Sequence, residues 1–411
     1  MRLPRDELME QAAGLLPDAV TLRRRLHVHP ELGLELPETK RAILESLRGL
    51  DLEIVESAST SGVVATLRGG APGPTLLLRG DMDALPMPED TDVEFKSQVA
   101  GAMHACGHDS HVAMLAGAAR LLNSRRSELA GNVKFMFQPG EEGHHGARYM
   151  IEEGLLEDDP RVDAAFAIHI FPLIPVGVLG TRPGPMLASA DQFEVELIGR
   201  GGHASMPHHG IDPIPVACEI VQALQSFVTR RVDAFDPAVL TVARIESGTT
   251  FNVIPEKALL AGTIRAVSET TRELVHEGLR RIARGIGEAH GLEVKVDLEL
   301  GYPVTVNHAE FTHFALDTAR ELLGSAGVLE APNPIMGAED WSYVLQEVPG
   351  AMAFLGVRPD DAEPMPCHSN RMVLNEQGMQ HGIALHAALA LRYLDGEKRE
   401  FSRPDHTGRS S

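Results

Sequence analysis

Met103-His-Ala-Cys-Gly-His-Asp-Ser-His111 gathers His104, Cys106, His108, Asp109 and His111 into one short stretch. A thiolate and an imidazole two positions apart can close on a single divalent cation, and both are ligand types that zinc, nickel and cobalt accept. Taken alone, Cys-x-His reads equally well as a solvated, His-rich loop. The choice between the two readings lies in the sequence on either side.

Upstream, residues 63–67 and 75–79 are apolar runs flanked by Gly and Pro, which is the pattern of strands. The second runs into Gly80-Asp-Met-Asp83, so two carboxylates follow a strand's C-terminal end, the edge of an open α/β sheet where sites collect. Before them, apolar spacing predicts a helix over 6–29, stopped by Pro30, and Pro37-Glu38-Thr39 opens a second helix through 47. Downstream, a helix is expected over 112–122 and a strand over 132–138, which delivers Gln138-Pro-Gly-Glu-Glu142. Adjacent glutamates on a solvated helix would be unremarkable; after a buried strand and a Pro-Gly turn they have the context of a site. Residues 162–171 form a third apolar strand with His169 near its end. A lone His in such a run is usually a hydrogen-bonded core residue, but three strands that each end in donor groups favour a site.

Near residue 187 the texture changes. Strand 192–199, helix 214–232, strands 238–246 and 257–267, helix 269–290 and strand 293–300 follow in the order βαββαβ, the ferredoxin-like arrangement. From about 303 the α/β pattern resumes, with a helix over 309–323, a strand over 351–355 and a last helix over 376–393. Gly337-Ala-Glu-Asp-Trp341 in this part holds the only tryptophan. The expected organisation is therefore an α/β domain with a mixed sheet, built from 1–186 and 303–395, an inserted α+β domain at 187–302, and a polar tail at 396–411 whose composition predicts disorder.

The length of 411 residues suffices for about two or three domains. A formal charge of −21 argues against nucleic acid or an anionic membrane as partner, and Arg23-Arg24-Arg25 and Arg280-Arg281 read as helix faces, not a basic patch. The acidity does not exclude a small anionic substrate, since one buried Arg can hold it. Residues 1–11 lack the apolar run of a signal peptide, and no stretch reaches the ~18 to 20 apolar residues of a membrane span. Three cysteines are too few for a disulfide framework, so a cytoplasmic location is expected.

Gly80-Asp-Met-Asp-Ala-Leu-Pro86, Met103-His-Ala-Cys-Gly-His-Asp109, Gln138-Pro-Gly-Glu-Glu-Gly143, His169, Gly202-His-Ala-Ser205, Asn252-Val-Ile-Pro255, Gly262-Thr-Ile-Arg265 and Cys367-His-Ser369 stand in one order across nearly the whole chain. Together they resemble the amidohydrolase branch of the aminoacylase/carboxypeptidase metallopeptidase superfamily, which holds hippurate hydrolases, N-acyl-amino-acid amidohydrolases and auxin-conjugate hydrolases. The resemblance implies a metallopeptidase catalytic domain carrying two divalent metal ions (Zn, Ni, Co or Mn). Cys106 would bridge them, with His108 and His169 completing one site and Glu142 and His368 the other. Glu141 would act as general base and then acid, and Asp83 would orient the bridging ligand or its neighbour. Asp81 stands where other branches carry a metal-binding His, and it is left out of the ligand set.

The same resemblance makes the inserted domain a lid and the contact of a homodimer or dimer-based tetramer. His203 would meet the developing oxyanion in the partner's active site, while Asn252 and Arg265 hold the substrate carboxylate. For Arg265 alone, a surface salt bridge is as common an explanation. The implied reaction is hydrolysis of an N-acyl or N-aroyl amino acid, hippurate-like or N-acetylated. A deacetylase of a biosynthetic intermediate or a dipeptidase is the alternative enzyme, and a non-catalytic metal-binding dimer the alternative of another class. The presence of Glu141, which binds no metal in this scheme, speaks against the last. This sequence departs from the usual pattern at Ser110 (commonly Gly), at His144-His145 (commonly small residues) and at Cys367, read as a packed neutral thiol or as a partner for Cys106 when metal is absent.

Overall fold

Leu76, Leu77 and Leu78 are consecutive and all fully buried, a pattern that requires a strand covered on both faces. That strand, Ala71–Asp81, lies inside an eight-stranded mixed sheet in a computed structural model, which describes residues 4–360, 363–397, 399 and 401–404. The sheet order is Glu53–Glu56, Val63–Arg68, Ala130–Gln138, Ala71–Asp81, Ala164–Phe171, Gly350–Gly356, Leu179–Thr181, Val328–Glu330. Ala71–Asp81 runs parallel to both neighbours, Ala164–Phe171 runs parallel to Gly350–Gly356, and the antiparallel pairs lie toward the edges. Helices Arg5–Val28, His108–Ser124 and Gly378–Tyr393 pack against one another and share one apolar cluster with the central strands.

The described chain divides into two compact units, one drawn from 1–184, 306–332 and 340–411, the other from 185–305 and 333–339. Residues 333–339 were expected in the first domain. They join the second because Ala188 N–H donates to the Ile335 and Gly337 carbonyls, at 3.0 and 2.9 Å. In the second unit, strands Asp191–Ile198, Ala238–Ser247, Lys257–Ala266 and Glu293–Glu299 form an antiparallel sheet in chain order 2-3-1-4. That is the ferredoxin-like order expected from βαββαβ. Asp191–Ile198 alternates buried and more exposed residues, so one face carries helices Pro213–Arg231 and Glu269–Ala289.

The tail past residue 396, where composition predicted disorder, is without helix or strand among its described residues but packs on the first unit. Arg399 pairs with Asp395, and Phe401 stacks on Tyr393 with ring centroids 6.2 Å apart and packs against Phe311. A single aromatic residue anchors the segment. Residues 398, 400 and 405–411 of that expectation lie outside the described residues.

Candidate metal centre

The donor groups gather at the carboxyl edge of the parallel strands. Asp81, last in its strand, sits in register with Gln138, last in the neighbouring one, and Met82 N–H donates to the Gln138 carbonyl at 2.9 Å. His169 lies near the end of the next strand over. The helix after the Cys-x-His stretch starts at His108, four residues before the expected 112. Gly107 has φ of 81°, and a Cβ there would lie 2.7 Å from Ile170 Cγ1, so the sharp turn between Cys106 and His108 requires glycine. Ser110 closes the first turn by donating its N–H and Oγ–H to the Gly107 carbonyl, at 2.8 and 2.5 Å. His108 and His111, three apart on that helix, therefore share a face.

Two trios of donor atoms overlap on one thiol. Cys106 Sγ lies within 4.8 Å of His108 and His169 ring nitrogens, and within the same distance of Glu142 and His368 donor atoms. Cys106 Sγ stands 3.3 Å from His169 Nε2, and His368 Nε2 stands 3.2 Å from Glu142 Oε1. The backbone of His368 is left-handed, φ 67°, held by its N–H on the Ala105 carbonyl at 2.8 Å. A non-glycine residue in that region is uncommon and marks a place where structure over-determines the chain. Here it turns the imidazole toward Cys106 and Glu142.

Tautomers and charge suit a cation. His108 Nδ1–H donates to the Asp83 carbonyl at 2.9 Å, which leaves Nε2 facing the cluster. His108 Nε2 is buried without a hydrogen-bond partner among the described residues, and Glu142 Oε1 faces the His368 ring at 3.2 Å. Burial disfavours a charged His108, yet Asp81, Asp83 and Glu142 outweigh it and push its pKa up to about 10. A buried cluster that draws protons so strongly is short of positive charge. Its thiol, imidazoles and carboxylate match a borderline-soft divalent ion.

His111 is different. Its Nδ1–H donates to Asp81 Oδ1 at 2.5 Å and its Nε2 accepts from Ile170 N–H at 2.8 Å, so both nitrogens are committed. Burial opposes ionisation of Asp81, but Arg79, at 2.8 Å, and the imidazoles hold its carboxyl well below the usual range. Asp83 accepts the Glu141 and Glu142 backbone N–H groups at 2.9 and 3.0 Å, so its side chain acts on the glutamate loop from inside. Glu141 is buried, its Oε2 4.0 Å from His108 Nε2.

In the second unit, short strands Gly202–His203 and Val253–Ile254 pair with His203 opposite Val253, which brings Asn252 beside it. Ala204 N–H donates to the Asn252 carbonyl at 3.1 Å. Ser205 N–H donates to Nδ1 of the exposed His203 ring at 3.1 Å, which leaves Nε2 to carry the ring N–H. Arg265 lies half-buried on Lys257–Ala266, and burial lowers its pKa.

Residues 77–392 match the family described as Peptidase family M20/M25/M40. The chain belongs to that peptidase family. It is 40% identical to thermostable carboxypeptidase 2 of Saccharolobus solfataricus, over 91% of this chain and 95% of that protein. It is 39% identical to IAA-amino acid hydrolase ILR1-like 2 of Arabidopsis thaliana, over 91% of this chain and 85% of that protein. It superposes with a TM-score of 0.81 and 34% identity on the Bacillus subtilis YxeP protein, described as a dinuclear metal-binding peptidase from M20 family, covering 93% of this chain and 99% of that one.

This M20/M25/M40 chain also holds groups that sequence reasoning passed over. Arg23, read as part of a helix face, is buried. Its Nε faces Asp109 Oδ2 at 3.2 Å and its Nη1 donates to Glu376 at 2.7 Å. His27 Nδ1 joins the same Asp109 oxygen at 2.7 Å, and its Nε2 lies 3.3 Å from Glu89. Asp109, the residue after His108, is thus braced against helix Arg5–Val28. Only the 3.6-residue spacing of Arg23 and His27 on one helix face signalled this.

Proposed function

We propose that this chain is a metal-dependent amidohydrolase that cleaves the amide of an N-acyl or N-aroyl amino acid into a carboxylic acid and a free amino acid. One observation carries this reading: Cys106 belongs to both donor trios, while buried Glu141 stands beside them and belongs to neither. The names of two relatives, a carboxypeptidase and an IAA-amino acid hydrolase, both describe a cleavage that frees an amino acid. Two divalent cations held by Cys106, His108, His169, Glu142 and His368 would polarise the scissile carbonyl and acidify the attacking water. Glu141 takes that water's proton and returns it to the amine nitrogen as the C–N bond breaks. Asp83 keeps Glu141 in place. His203 offers its Nε2–H to the developing oxyanion, and Arg265 with Asn252 holds the product-side carboxylate. Three free thiols suit a reducing, cytoplasmic location.

The test is a substrate panel: hippurate, N-acetyl and indole-acetyl amino acids, dipeptides and the C-terminal amide of each, on apoprotein restored with Zn, Mn, Co or Ni. The free acids should be hydrolysed. Arg265→Ala should raise KM for the acids by about 10- to 100-fold, the scale of a charge-assisted hydrogen bond, and much less for the amides. Turnover of no free acid with any metal sinks the proposal.

The second unit would pair two copies across a two-fold axis, with His203 serving the partner's centre. Mixing inactive His203→Ala and Glu141→Gln proteins under subunit exchange should then restore activity, because about half of randomly paired dimers hold one intact site. Parental activity after confirmed exchange places His203 in its own subunit's site.

A further inference from the structure

Gly337-Ala-Glu-Asp-Trp341 takes part in no step above, yet its Asp340 is fully buried in the first unit. A buried carboxylate is costly unless surrounded by donors. Asp340 Oδ2 accepts from Ala147 N–H at 2.9 Å, both oxygens lie 2.8 Å from Gln138 Nε2, and Oδ1 lies 3.3 Å from Arg79 Nη2. Arg79 Nε in turn donates to Gln138 Oε1 at 2.9 Å, and its Nη1 faces Asp81 Oδ2 at 2.8 Å.

Gln138 and Ala147 bracket the segment that carries Glu141 and Glu142. That segment is folded tightly on itself. Gly146 N–H donates to the Gly140 carbonyl at 3.1 Å, and a Cβ on Gly146 would lie 1.6 Å from the Pro139 oxygen. Asp83 pins the middle of the segment through the Glu141 and Glu142 amides. Arg79 and Asp81, two apart on one strand, share a face, so the same carboxylate reaches both strand ends that supply the centre.

We propose that Asp340 is a further positioning residue of Glu141 beside Asp83: one buried carboxylate that clamps both ends of the 138–147 loop and, through Arg79, ties it to Asp81. The inference rests on Glu141 as general base. Asn at 340 keeps the shape but replaces one acceptor oxygen with an NH2 group that must face a donor, loosening one loop end. Misplacing a catalytic group by about 1 Å can cost about 100-fold in rate.

The experiment compares Asp340→Asn, Gln138→Leu and Glu141→Gln with wild type, all metal-loaded, on the best substrate of the panel. For Asp340→Asn, kcat should fall about 10- to 100-fold with KM and bound metal unchanged, and the acid limb of the kcat–pH profile should shift. Gln138→Leu, which removes only the side chain linking Asp340 to the strand end, should show a milder loss of the same kind. It carries the test if Asp340→Asn does not fold. Wild-type kcat and pH profile in the folded variants overturn the inference, as does a loss matched by lost metal. An active Glu141→Gln overturns the general-base reading and the inference with it, whereas an inactive Glu141→Gln beside a wild-type-like Asp340→Asn overturns the inference alone.

Discussion

Glu141→Gln is expected to lower kcat by about 10²- to 10⁴-fold, the usual worth of a general acid–base group, with bound metal and KM unchanged. The amide occupies nearly the same volume as the carboxylate, so the buried pocket and the Asp83 bond to the Glu141 amide should persist. What is lost is the capacity to accept a proton and pass it on. Geometry makes the test demanding, because Glu141 also lies within 4.8 Å of His108 and Glu142 donor atoms and is close enough to serve as a ligand. Metal analysis of the purified variant separates the roles. Full metal content with lost turnover supports the base, while metal loss shows that Glu141 and Glu142 have exchanged roles.

The sheet edge beside the candidate donors was legible because Asp81 and Gln138 close paired apolar strands. Period and punctuation in the sequence report such positions directly. The βαββαβ order was legible for the same reason. The start of helix His108–Ser124 was not, since it depends on a left-handed Gly107 packed on Ile170. The membership of 333–339 in the second unit was hidden too, because backbone bonds to Ala188 leave no trace in side-chain pattern. His111 illustrates the limit most clearly. It has the residue type and spacing of a ligand, yet Asp81 and the Ile170 amide occupy both its nitrogens. Which donor faces a cation and which holds another donor is a property of the packed state.

Cys106→Ala should bring metal content from about two ions per chain toward zero and abolish turnover, because its sulfur is the one donor shared by both trios. Cys218, exposed on its helix, is the control, and Cys218→Ala should match wild type in both measurements. Loss at Cys106 removes an anionic ligand atom from each site and the one donor that joins them, so neither half is expected to retain its ion alone. The direction of pH dependence follows from the same thiol. Hydrogen bonding with Cys367, burial and the neighbouring glutamates hold the Cys106 thiol protonated well above its ordinary range in the metal-free protein. Binding as thiolate must release that proton, so apparent metal affinity should rise with pH and each metal-loading event should acidify a weakly buffered solution. Equal metal content and turnover in wild type and Cys106→Ala would remove the two-metal reading. Retention of one ion per chain would instead assign Cys106 to a single site and leave the other to the remaining trio members.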